Sequence, residues 1–194
     1  MKNILTILMM AMLLTACSKS YEDKAESLIK KSMEETLYNP ETYKSVSTVL
    51  DSAFSPVDDP IFYEKALRVY KLQTAINSKD KAKEKADKLI EELKKSMEEE
   101  PEFIGYKGLH RYKATNKMGM PISGEALFIF DKDITKIVAV YDTSSTEYNI
   151  VMLISKAMQG EEVSEDDVRA LTILMMQDNF KQMVPAVFSN MFGN

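Results

Sequence analysis

The sequence predicts an α+β fold: an antiparallel sheet of about four strands covered on one face by helices, with an apolar helical C-terminal segment. Three observations carry this expectation. Period-two runs lie at 43–54 and again across 102–142. Stripes of helical period occupy 25–37 and 62–97. The last fifty residues are rich in apolar side chains, methionine above all.

The first helix is read from Ala25, Leu28, Ile29, Met33 and Leu37, which share one helical face. Asn39-Pro40 ends it, because proline disfavours helical geometry in the residue before it. In "YKSVSTVLDSAF", Val46, Thr48 and Leu50 alternate with polar neighbours, as on a strand. "SPVDDP" breaks the chain, and Asp59-Pro60 opens the next helix with a cap residue followed by proline. Phe62, Ala66, Val69 and Ile76 form one stripe; Ala82, Ala86, Leu89, Leu93 and Met97 form a second. On a continuous helix the second stripe would be rotated by roughly 140° from the first. A break at Asn77 to Asp80, giving a helical hairpin, avoids two unrelated faces.

Residues 102–142 read as a three-stranded meander. In "FIGYKGLHRYKAT", Ile104, Tyr106, Gly108, His110, Tyr112 and Ala114 share one face, with Lys107, Arg111 and Lys113 on the other. "NKMG" supplies a turn. "ISGEALFIF" is apolar on both faces in its second half, as central strands are. Asp131-Lys132-Asp133 turns the chain into "ITKIVAVYD". Ser145 or Thr146 caps a helix to Met158, stopped by Gly160. Ser164 and Asp167 match a capping box before "VRALTILMM".

The N-terminus reads as an address. Lys2 precedes the apolar run Ile4–Leu14, eleven residues long. A membrane-spanning helix needs about 20, whereas this length suits a signal-peptide core. The run is apolar all round and has no amphipathic stripe to pack as a surface helix. It ends in Leu14-Thr15-Ala16-Cys17, which resembles the lipobox of bacterial lipoproteins. The resemblance implies a diacylglyceryl group on the Cys17 sulfur, cleavage before it, and acylation of the new amino group. It also implies sorting by the next residue. Ser18 lacks the acidic character that retains such proteins at the inner membrane, so the expectation is a lipid anchor in the outer membrane, facing the periplasm rather than the cell surface. "FIGYKGLHRYKATNKMG" and "FIFDKDITKI", within 103–137, are similar to small envelope lipoproteins of Gram-negative anaerobes, and they carry no catalytic motif. The expected organisation is a signal peptide over 1–16, a lipidated tether over 17–23, an α+β domain over 24–142, and a C-terminal helical layer over 143–194 packed on it.

Composition narrows the function. Removing Lys2 leaves 24 basic side chains against 30 acidic, the wrong sign for nucleic acid. Cys17 is the sole cysteine, so an intramolecular disulfide is impossible. One histidine and one cysteine cannot furnish the four ligands of a structural zinc site. Asp131 to Asp142 begins like a calcium loop but lacks the glycine at its sixth position. Phosphate-cradling glycine motifs are absent, and no cofactor is expected.

Two side-chain groups invite functional readings. His110, the only histidine, lies on an apolar strand face between tyrosines. It reads as a buried histidine bonded to a tyrosine or a carbonyl. A general base would need a nucleophile and an orienting partner, and no G-x-S-x-G is present. Ten of the fourteen methionines lie beyond the signal. With Phe188, Met175 and Met183 fit either a core or an adaptable apolar binding face. The leading expectation is a non-enzymatic interaction or scaffold module held on the bilayer by Cys17, with an envelope protein as partner. The alternative is a binder or carrier of an apolar ligand or peptide through the Met-rich C-terminal helices; an envelope hydrolase using His110 ranks third.

Overall fold

The computed structural model describes residues 20–74, 80–162, 164–167 and 169. Cys17, Met175, Met183 and Phe188 lie outside them. The chain orders as α1 (Tyr21–Thr36), a single 3-10 turn (Pro40–Thr42), β1 (Lys44–Phe54), α2 (Pro60–Thr74), α3 (Asp80–Glu98), β2 (Phe103–Thr115), β3 (Pro121–Phe130), β4 (Ile137–Asp142) and α4 (Thr146–Met158). The strands form one antiparallel sheet in the order β1-β2-β3-β4.

Helix α1 begins earlier than the tether expected over 17–23 allows. The Ser20 hydroxyl accepts from the Asp23 amide while the Asp23 carboxylate accepts from the Ser20 amide. This capping box satisfies two amides that a helix start leaves unpaired. Ala25, Ile29 and Met33 then bury against Ala126, Phe128 and Phe130 of β3.

The helices cover both faces of the sheet, not one. Phe128 and Phe130 point to α1, both wholly buried, while Ile129 between them is buried on the opposite face at 2% exposure. There the sheet faces α2 and α4, and Tyr63 of α2 stacks on Tyr141 of β4 at 4.1 Å. Helices α2 and α3 form the expected hairpin. Phe62, Ala66 and Val69 pack with Leu93 and with Val151 of α4, and Lys65 pairs with Glu92 at 3.0 Å.

Two strand details differ from the sequence pattern. Val46 does not share the buried side of Thr48 and Leu50. The β1 register shifts between Ser45 and Ser47, which leaves Val46 in a bulge at 56% exposure. Strand β4 starts at Ile137, three residues late. The Asp131 carboxylate accepts from the Thr135 and Lys136 amides and from the Thr135 hydroxyl, closing a loop in which Ile134 adopts φ 50°. Further along, Ser145 caps α4, Gly160 adopts φ 73° just beyond it, and Ser164 and Asp167 form their reciprocal capping bonds.

Candidate functional site

A cleft of about 330 Å³ separates the sheet from α2 and α4. The two flanking layers have separate cores. The α2–α3–α4 side has a core of its own around Phe62, Leu93 and Val151. It meets the sheet through the Tyr63–Tyr141 stack, with Tyr148 of α4 a further 6.4 Å from Tyr141. Leu109, Leu127 and Ile129 on the sheet and Val151 and Met152 on α4 line the cleft beside these rings. Burial pushes the Tyr63 and Tyr141 phenols up to about 12, with nearby Glu147 adding to the first and Tyr63 to the second. Both stay neutral, uncharged walls at any physiological pH.

Polar groups gather at one end. Lys107 Nζ donates to both oxygens of Asp58, at 3.0 and 2.9 Å. Asp58 also accepts from the Phe54 amide, closing the turn that follows β1 and contains the cis Ser55–Pro56 bond. Asp59 caps α2 by accepting from the Ile61 amide at 2.8 Å. Asp58 and Asp59 thus hold the turn and the helix start. The cleft is lined mainly by aliphatic and aromatic side chains with a few polar groups at its edge, the usual make-up of a small-molecule site.

His110 lies elsewhere, under α1 on the opposite sheet face. It is 1% exposed. Its Nε2 and the Tyr43 hydroxyl are 2.9 Å apart, and its Nδ1 and the Thr48 hydroxyl 3.0 Å. Both ring nitrogens are engaged by hydroxyls. Among the described residues no carboxylate bonds the ring; Asp23, Glu26 and Lys30 border the small hollow beside it. Burial lowers the His110 pKa, opposed in part by a hydrogen bond with the Ser47 backbone. The folded state therefore favours the neutral ring more than the unfolded chain does. This contribution is complete above the unfolded value of about 6.5 and is lost as pH falls toward the lowered folded value. Thermal melts from pH 7.5 down to 5 should show the wild type losing stability relative to His110→Gln. Parallel curves for the two proteins would contradict a buried neutral imidazole.

The cleft residues escaped the sequence pattern, whereas His110 did not. Tyr63, Tyr141 and Tyr148 belong to three elements, and nothing local marks them as neighbours. Asp58 and Asp59 register in the sequence only as a chain break and a cap. Met175, Met183 and Phe188, the expected apolar face, lie outside the described residues, and so does Cys17. No protein-family model, curated protein or solved structure matches the chain. Among the described residues no helix is long and apolar enough to cross a membrane, and no cluster of three potential metal-ligating side chains occurs.

Proposed function

We propose that the protein is a lipoprotein of the cell envelope, anchored through acylated Cys17 in the outer membrane and facing the periplasm, where it acts as a non-enzymatic interaction module. The observation that carries this reading is Leu14-Thr15-Ala16-Cys17 at the end of an eleven-residue apolar run. Three acyl chains exceed the two that stable anchoring requires. The non-enzymatic part is supported by Asp58 and Asp59 at the cleft edge, which are engaged in a turn and a helix cap, by Asp51, which accepts from the Ser52 amide, and by the engagement of both His110 nitrogens. Labelled palmitate should enter the wild-type protein in cells and be lost in Cys17→Ala. Equal labelling of the variant would overturn the anchor.

A second reading, a binder of an apolar ligand, is favoured by the cleft. On this reading the Met-rich C-terminal segment takes part through Met175, Met183 and Phe188 as an apolar binding face. The uncharged dye N-phenyl-1-naphthylamine should bind the full chain in nanodiscs above the empty-disc background, and Met152→Arg should remove that excess. An excess that persists in the variant would dissociate binding from the cleft.

A further inference from the structure

The two ends of the sheet differ in a way the anchor makes consequential. Cys17 precedes Tyr21, the first residue of α1, by four positions. Four extended residues reach at most about 14 Å. The acylated cysteine, on the reading proposed above, therefore holds the α1 start close to the bilayer. Tyr21 stands over Tyr106 at 5.0 Å, Tyr106 meets Phe103 at 5.4 Å, and Phe103 meets Phe54 at 5.9 Å. These four rings make a continuous strip across the end of the sheet where β1 finishes and β2 begins. Tyr21 and Phe54 remain 46% and 43% exposed. Ile61, 62% exposed, opens the helix that follows the Phe54 turn.

The opposite end is remote. Strand β2 has thirteen residues, which at 3.4 Å each span about 40 Å. At that far end Asn39, beyond α1, donates to the Asn116 carbonyl, and Met118 in the hairpin turn is 82% exposed. Helix α1 and strand β2 thus share one long axis, with the aromatic strip at the end that the tether reaches.

We infer that the strip formed by Tyr21, Tyr106, Phe103 and Phe54 is a membrane-facing surface that seats in the lipid headgroup layer. The inference rests on acylation of Cys17. Tyr21 and Tyr106, each with one polar and one apolar end, suit that layer, and Phe103 and Phe54 add apolar surface beside them. Charges of both signs border the strip. Lys24 donates to the Asp133 carbonyl and lies over the Tyr21 ring, and Lys132 pairs with Glu102. Glu22 and Asp133 also act electrostatically on Tyr106, so the attraction to the bilayer lies in the rings, and their seating would stand the Met118 hairpin away from the membrane.

The test uses the full acylated chain in nanodiscs. Acylation blocks Cys17, so a cysteine introduced by Phe54→Cys, Ile61→Cys or Met118→Cys takes a bimane label alone. With lipids carrying a nitroxide near the headgroup, emission should be lost at positions 54 and 61 and kept at 118, and high salt should leave the pattern unchanged. Adding Tyr21→Ser and Phe54→Ser to the position-61 variant should restore its emission. Equal quenching at all three positions, or quenching at 118 alone, would overturn the inference. So would a label at 54 that is shielded from water yet unquenched, which would mean a protein partner or a second copy on the strip. Mass measurement of the same samples separates the two claims: acylated but unquenched protein sinks the orientation alone, whereas unacylated protein sinks the anchor with it.

Discussion

Gly105→Ala should abolish the cooperative unfolding transition or leave only a residue of it. Gly105 has φ 150°, a region that L side chains rarely adopt. It sits where the β1–β2 register shifts between Ala53 and Phe54, so the chain bends there. A Cβ at this position would lie 2.1 Å from the Phe130 carbonyl oxygen and 3.0 Å from the Asp131 carbonyl carbon. Both are backbone atoms of the strand end beside it and cannot rotate away as a side chain would. Backbone strain of this kind costs on the order of 1–3 kcal/mol before the clash is counted. The clash adds to that, against a typical total stability of about 5–15 kcal/mol. Urea titration followed by circular dichroism reads the effect. A midpoint unchanged from wild type would mean that β2 does not approach Phe130 in this way.

Phe128→Ala should cost about 3–5 kcal/mol, the range for a fully buried phenylalanine. The ring is wholly buried at the centre of the cluster between α1 and the sheet. It lies edge-on to His110 at 6.1 Å and stacks with Phe130 at 6.4 Å. Phe130 in turn fills the space that Gly108 leaves bare, its ring edge 3.1 Å from where a Cβ would stand. A cavity at 128 therefore cannot collapse without moving two neighbours. The comparison is Leu127→Ala, one residue away on the cleft face. Leu127 is half-buried and borders a space that is already open. Its truncation should cost clearly less. Equal losses at the two positions would contradict the asymmetry between a packed face and a cleft face.

That asymmetry was half legible in the sequence. The run Phe128-Ile129-Phe130, apolar on both sides of a strand, marks β3 as a central strand. The helical stripes do not say which face of the sheet each helix takes, so one-sided cover remained compatible with the pattern. Capping shows a similar division. Ser164 and Asp167 stand out before an apolar run, whereas the same spacing at Ser20 and Asp23 merges with the polar stretch after Cys17 and reads as tether. Val46 fits perfect alternation, and only the pairing of Ser45 with Tyr112 and Ser47 with Arg111 exposes the bulge. His110 was readable because strand alternation placed it among tyrosines. Its partners Tyr43 and Thr48 come from β1 and the residue before it, about sixty positions earlier. The cleft depends on Tyr63 meeting Tyr141, which is a tertiary event without a local signature.

On the proposed function, the first sixteen residues are an address and Cys17 begins the working protein. The measurement that tests this most directly is the intact mass of the protein purified from Gram-negative cell membranes, with its N-terminal peptide sequenced by fragmentation. The account predicts a chain that starts at Cys17 and carries a diacylglyceryl group on sulfur and an acyl group on nitrogen. A chain that retains residues 1–16, or one with an unmodified Cys17 thiol, would contradict it.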